Sequence, residues 1–259
     1  MRIVSWNVNG IRAVEKRGFV QWAAEESPDV LCLQETKAAP DQLSEDLRLL
    51  KDKKGAVYHD YWASAKRKGY AGTAIYSRTE PRSVTGMGEA AFDDEGRVLQ
   101  ADYGDFVVIC AYFPNSQDKG ARLPYKLDFC AAMLRLCDRL VKKGRRLVLC
   151  GDYNIAHTAI DLARPRDNED NAGYLPEERA WMDTFTGAGY ADTFREAHPG
   201  EGQHYSWWTY RQNARERNVG WRIDYHCVDR AFLPAVKNPR IRADVHGSDH
   251  CPVEIELAL

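Results

Sequence analysis

Short apolar or alternating runs recur along the chain at residues 2–6, 30–34, 57–63, 72–77, 97–103, 106–112, 146–150, 223–228, 240–245 and 251–257, and each reads as a β-strand. Helical periodicity appears at 15–26, with Phe19, Trp22 and Ala23 on one face, and at 41–50. It returns at 122–141, through Leu127, Ala131, Leu134 and Cys137, and at 177–187, where Pro176 and Glu177 suit a helix start. No Pro-, Gly- or Ser-rich linker and no tandem repeat interrupts the pattern, so residues 1–259 read as one domain. The strands fall into two groups, within 1–112 and 146–259. That predicts an α/β fold of two sheets packed face to face with helices on the outer faces.

The strands share an unusual ending. "VLCGDYN" (148–154) runs apolar and then delivers Asp152 and Asn154. "DVLCLQETK" (29–37) ends in Gln34 and Glu35, and "MRIVSWNVNG" (1–10) in Asn7 and Asn9. "GWRIDYHCV" (220–228) carries Asp224, and "HGSDHCPVEIEL" (246–257) sets Asp249 and His250 just ahead of a strand. A single strand-end Asp ordinarily caps a helix, and a lone His is ordinarily structural. Five such ends favour one shared site, because a charge left in a sheet mouth is costly unless paired or metal-bound.

Bulk composition narrows the setting. With 44% hydrophobic and 29% charged residues the chain is an ordinary soluble globular protein. No run approaches the roughly 18 apolar residues of a membrane helix. The chain enters a strand at residues 2–4, leaving no room for a signal peptide. Seven cysteines with no C-x-x-C pair argue against a disulfide framework and a zinc cage. A reduced, cytoplasmic, monomeric protein is expected. The net charge of −2 is unpromising for a nucleic-acid binder, but its distribution is not. "RQNARERNVGWR" (211–222) carries Arg211, Arg215, Arg217 and Arg222 against one acid, and "KRKGY" (66–70) puts three cations beside an aromatic.

The residue types at the strand ends point to phosphodiester hydrolysis. Glu35 and Asp249 are hard oxygen ligands of the kind Mg²⁺ or Mn²⁺ prefers, with Asn7 and Asn9 able to orient them without adding charge. Asp152 and Asn154 suit the holding and deprotonation of a water. Asp224 is the natural partner for His250, fixing its tautomer and favouring its charged form. Metal, oriented water and a cation beside an anionic oxygen are the parts such a reaction needs.

These residues also carry a resemblance. "WNVNG-R" (6–12), "LQETK" (33–37), "Y-PN" (112–115), "GDYNIAH" (151–157), "NAG" (171–173), "NVGWRIDY" (218–225) and "GSDHCP" (247–252) are similar, in order and over essentially the whole chain, to the exonuclease III and apurinic/apyrimidinic endonuclease family. The resemblance implies a four-layer α/β sandwich and Mg²⁺-dependent incision 5′ to abasic sites in duplex DNA, with some 3′–5′ exonuclease and 3′-end-processing activity. It places Asn7, Glu35, Asp152, Asn154, Asp249 and His250 around the metal, with Asp152 and Asn154 on the attacking water. His250, paired with Asp224, and Tyr112 and Asn115 would contact the scissile phosphate, Tyr112 as hydrogen-bond donor or as phenolate. Arg12, Tyr70, Arg97 and Arg122 match DNA-contacting positions. Trp207, Trp221 and Ile223 match a pocket for a flipped-out abasic sugar, although Trp207 fits a core position equally. Two departures stand out against the human-type proteins, Asn9 in place of an acid and Arg211 in place of a methionine. With no N-terminal extension, a bacterial enzyme acting on abasic or 3′-damaged duplex DNA is expected. The rivals are an enzyme specialised as exonuclease or 3′-phosphatase, and a non-catalytic DNA-binding relative, which should have lost a metal ligand or the Asp–His pair.

Overall fold

In the computed structural model, which describes residues 1–259, the apolar runs form strands and their pairing decides the architecture. One sheet takes β1 (Arg2–Asn7), β2 (Val30–Gln34), β3 (His59–Ala63), β4 (Thr73–Ser77), β11 (Val236–Ile241) and β12 (Val253–Leu257), in the order β11-β12-β1-β2-β4-β3. The other takes β5 (Ser83–Thr85), β6 (Val98–Asp102), β7 (Phe106–Tyr112), β8 (Arg146–Asp152), β9 (Tyr190–Asp192) and β10 (Asp224–Asp229), in the order β5-β6-β7-β8-β10-β9. The division at 112/146 therefore fails. Each sheet draws on both halves of the chain, because β12 returns to pair antiparallel with β1 while β7 pairs parallel with β8.

Alternation along the central strands builds the layers. Ile3, Val30, Cys32, Ile75, Val108, Cys110, Val148 and Cys150 meet between the sheets. Their neighbours Val4, Leu31, Leu33 and Tyr76 face outward onto Val14, Phe19, Ala23 and Leu47. On the far side Ile109, Leu149 and Cys227 pack against Phe129, Met133, Cys137, Met182 and Phe185. Strands buried on both faces must be apolar at every position, which is why they read as continuous runs. The result is the expected four-layer α/β sandwich. All seven cysteines are buried.

The helices are α1 (Ile11–Glu15), α2 (Phe19–Glu26), α3 (Glu45–Arg48), α4 (Ala90–Asp93), α5 (Leu123–Lys142), α6 (Pro176–Gly187) and α7 (Thr193–Ala197). The helix expected over 15–26 breaks at Gly18, whose φ of 92° is left-handed. The one expected over 41–50 shrinks to α3, started by the Ser44 hydroxyl accepting from the Leu47 amide. The strand expected at 240–245 lies earlier, as β11, because the edge of a sheet tolerates Pro239. The edge strands β5 and β9, three residues each, are too short for periodicity to show.

Register brings the polar strand ends to one rim. Asn7 lies opposite Gln34, Tyr112 opposite Asp152, and Asp224 opposite Asp152 from the other side. Gly151 allows this convergence. Its φ is 142°, and a Cβ there would collide with the Ala111 carbonyl.

Candidate active site

Five strand ends deliver one hydrogen-bonded cluster. Asn7 is the hinge between the sheets, its Nδ2 donating to Glu35 Oε1 at 3.1 Å and to Asp152 Oδ2 at 2.8 Å. Asp152, 1% exposed, accepts the Asn154 backbone amide at 2.7 Å and its side-chain Nδ2 at 3.1 Å. Asn154 itself takes a left-handed φ of 51° and accepts from Asn115 Nδ2 at 2.9 Å. Across the rim His250 Nδ1 lies 2.9 Å from Asp224 Oδ2, and its Nε2 lies 3.9 Å from Asp152 Oδ2. The Ser206 hydroxyl donates to the same Asp224 oxygen at 2.6 Å, fixing the carboxylate that fixes the histidine.

Environment sorts these acids into two kinds. Burial pushes the Asp152 carboxyl up to about 7, against the pull of His250 and with the help of Asp224 and Glu35. Burial also opposes a charge on His250, but the Asp224 and Asp152 carboxylates outweigh it and raise the ring to about 10. In its charged form the ring offers an N–H from each nitrogen, Nδ1 toward Asp224 and Nε2 on the side of Asp152. Glu35 and Asp249 go the other way. Burial disfavours the charge of Glu35, but Lys37, 2.7 Å away, outweighs it and holds the carboxyl below its ordinary value. Asp249 is likewise held low against burial by His250, Asn9 and Trp207. Burial, then Glu35 and Asp152, keeps the Tyr112 phenol protonated far above its usual value, so it offers a hydroxyl and not a phenolate.

Asn9 gains a physical reason here. Its Nδ2 donates to Asp249 Oδ1 at 2.9 Å, and its Oδ1 accepts from Lys37 Nζ at 2.5 Å. An acid at this position has no proton to give Asp249 and would repel it.

Asp152, Asp224 and His250 bring one ligand-capable atom each to within 4.8 Å of one another. Within that trio His250 Nδ1 is paired with Asp224 Oδ2 at 2.9 Å. The ionised carboxylates of Glu35 and Asp249, oxygen donors without sulfur or free imidazole beside them, fit a hard divalent cation better. Both line a cavity of about 230 Å³ together with Tyr112, Asn115, Asn154, His250, Trp207, Trp221 and Ile223. The Trp207 indole donates to Asp249 Oδ2 at 3.2 Å and meets Trp221 edge to face. Asn171, Ala172 and Gly173 complete the lining. The sequence marks "NAG" as a motif without giving any of the three a role, and neither Ser206 nor Lys37 was expected at the site. Lys37 was legible in "LQETK"; Ser206 carried no signal.

The cationic positions divide. Arg12 is exposed and lines a groove with Lys16, Arg17 and Lys37. Tyr70 Oη accepts from Arg97 Nη2 at 2.9 Å and Arg122 Nη1 at 2.5 Å, and Glu95 pairs with both arginines. The expectation for Arg97 needs correction. It is 1% exposed, stacks 4.7 Å from the Tyr112 ring and donates to the Tyr112 carbonyl, so it positions Tyr112 instead of reaching DNA. The basic segment divides likewise. Arg222 is buried between Asp161 and Asp192, and Arg215 donates to the carbonyls of Val245, Ala243 and Ser248. Only Arg211 and Arg217 are exposed. Alanine at both is therefore expected to lower the slope of log Kd against log salt by about one unit each. Arg215→Ala leaves that slope intact and lowers stability by about 1–3 kcal/mol. Titrations of duplex DNA at several salt concentrations, beside thermal melts, separate the two outcomes.

The family model for the Endonuclease/Exonuclease/phosphatase family matches residues 4–250. The chain belongs to that family. It is a phosphodiester hydrolase, as the family match and its nuclease relatives indicate. It is 43% identical over its whole length to the zebrafish DNA repair nuclease APEX1, covering 83% of that protein. It is 42% identical to the exodeoxyribonuclease of Bacillus subtilis, with 98% of each covered. Among solved structures, the AP endonuclease of Leishmania major superposes with a TM-score of 0.87 at 29% identity, over 99% of this chain and 87% of that one. No helix of this family member is long and apolar enough to cross a membrane.

Proposed function

We propose that this family member is a cytoplasmic DNA repair endonuclease that hydrolyses the phosphodiester 5′ to an abasic site in duplex DNA. The same site would process 3′ ends as exonuclease and 3′-phosphatase. The observation that carries the reading is the pocket, where an apolar wall of Trp207, Trp221 and Ile223 shares one cavity with Glu35, Asp249 and His250. At about 230 Å³ it falls below the roughly 300–1,000 Å³ of sites for larger ligands. It suits a bare sugar better than a whole nucleotide. Extruding a nucleotide costs least where the base is already missing.

The chain's own groups divide the work. Mg²⁺, with Mn²⁺ as substitute, held by Glu35 and Asp249 with Asn7 beside them, would polarise a phosphoryl oxygen and offset its growing charge. Asp152 takes the proton of the attacking water, which Asn154 helps to hold. His250 donates from Nε2 to a phosphoryl oxygen, and Asp224 keeps the ring charged and aimed. Tyr112 and Asn115 donate to the same phosphate. Arg12, Arg122 and Tyr70 contact the backbone, and Arg211 enters the minor groove.

One gel comparison tests the reading, setting abasic, 3′-phosphate and recessed-end duplexes side by side with Mg²⁺ and with chelator. Fastest cleavage of the abasic duplex supports it. Preference for a 3′ substrate makes the protein primarily a 3′-end enzyme. The pocket has its own test in Trp221→Ala, which enlarges the wall and should shrink the abasic-to-intact ratio of kcat/KM by about 10-fold or more. If the variant only melts earlier and the ratio holds, these aromatics are core.

A further inference from the structure

Behind the pocket lies a fully buried ion pair that the hydrolytic chemistry leaves without a task. Lys126 on α5 and Glu178 on α6 are both 0% exposed, with Nζ and Oε1 2.6 Å apart. Such a pair is a poor way to add stability, because desolvating two charges offsets most of their attraction. Its remaining contacts run to three separate walls of the site. Lys126 Nζ also donates to the Asn154 carbonyl at 2.6 Å, holding the left-handed residue next to the water-holding acid. Glu178 Oε1 accepts the Ser116 hydroxyl at 2.6 Å, beside Asn115, which in turn donates to Asn154. Glu178 Oε2 accepts the backbone amides of Gly173 at 2.7 Å and Leu175 at 2.9 Å. Gly173 packs so near Trp221 that a Cβ there would lie 3.2 Å from the indole.

We propose that Lys126 and Glu178 are positioning residues of this active site, setting the spacing between the Asp152–Asn154 pair and the sugar-binding wall. The inference rests on the reading of the pocket given above. Its physical basis is that one carboxylate accepts four donors at once, from Lys126, Ser116, Gly173 and Leu175. A carboxylate offers about four acceptor sites, one for each of these donors, and acts here as a single knot between the three walls. A glutamine would turn an NH₂ toward groups that are themselves donors.

Glu178→Gln strands Lys126 as an unpaired buried cation, and its melting temperature is expected to fall sharply. The double variant Lys126→Met/Glu178→Gln removes both charges and should recover most of that loss. The deciding measurement is single-turnover incision of abasic duplex with Mg²⁺, taken beside Kd for the same duplex and the melting temperature. The double variant is expected to melt near the parent and bind with unchanged Kd, yet cleave about 10²-fold more slowly, the scale of a misplacement near 1 Å. A rate that recovers along with the melting temperature makes the pair purely structural and overturns the proposal. If the double variant does not fold, Ser116→Ala decides, expected to lower the melting temperature only modestly, because Glu178 keeps its other three donors, and to slow incision roughly tenfold at unchanged Kd. An unchanged rate there overturns the proposal too. Unaltered protein that releases 3′-phosphate but does not incise abasic duplex overturns the substrate reading alone. The same variants are then compared on the 3′-phosphate duplex, where a slowed rate at unchanged Kd supports the positioning role and a recovered rate overturns it.

Discussion

Asp152→Asn is expected to slow phosphodiester hydrolysis by roughly 10²–10⁴-fold while abasic duplex still binds. The substitution keeps the size of the side chain, and its amide oxygen can still accept the Asn154 backbone amide that Asp152 Oδ1 now accepts at 2.7 Å, although its NH₂ loses the bonds that Oδ2 accepts from Asn7 and Asn154. What it removes is the proton acceptor. The same assignment fixes the sign of the pH dependence. Asp152 is active without its proton, and its carboxyl is pushed up to about 7. The rate should therefore rise through neutral pH, well above where an ordinary carboxylate titrates near 3.9. His250 is active with its proton, held to about 10, so the rate should fall again in the alkaline range. In Asp152→Asn the acidic limb disappears and the alkaline one moves to lower pH, because the Asp152 carboxylate helps His250 keep its proton. Single-turnover rates across pH, with binding measured on the same samples, check both parts. Equal losses of binding and rate would make Asp152 structural.

Complete loss of activity in chelator, with recovery on adding Mg²⁺ or Mn²⁺, is the second large effect expected. Glu35 and Asp249 are the carboxylates of the rim that stay ionised and face the pocket, both held below their ordinary values. Glu35→Ala removes one of them and should raise sharply the metal concentration needed for half-maximal rate. It also leaves Lys37, now 2.7 Å from Glu35 and 2.5 Å from Asn9 Oδ1, as an unbalanced cation beside the site. A cation placed there would weaken metal binding further. Metal titrations of the variant against the unaltered protein measure the shift, and full activity in chelator would sink the assignment.

The sequence by itself determined the ingredients, for reasons that are local. A strand buried on both faces is apolar at every position, so "VLCLQ" and "RLVLCGD" announce their own place in a sandwich and the polar ends that follow announce a rim. Asn7, Glu35, Asp152, Asp224, Asp249 and His250 were all legible in this way, since each interrupts or flanks such a run. Which strands share a sheet was not legible. Pairing of β12 with β1 joins residues about as far apart as the chain allows, and no periodicity records a partner. The fate of each charge was also undecided until the chain folded. Arg97, Arg215 and Arg222 read as cations available to DNA, yet tertiary contacts bury or occupy them while Arg211 and Arg217 stay exposed. Lys126 and Glu178 sit 52 residues apart on two helices and look like solvated positions. Only packing α5 on α6 removes their water, and a charge without water must find its partners in the protein.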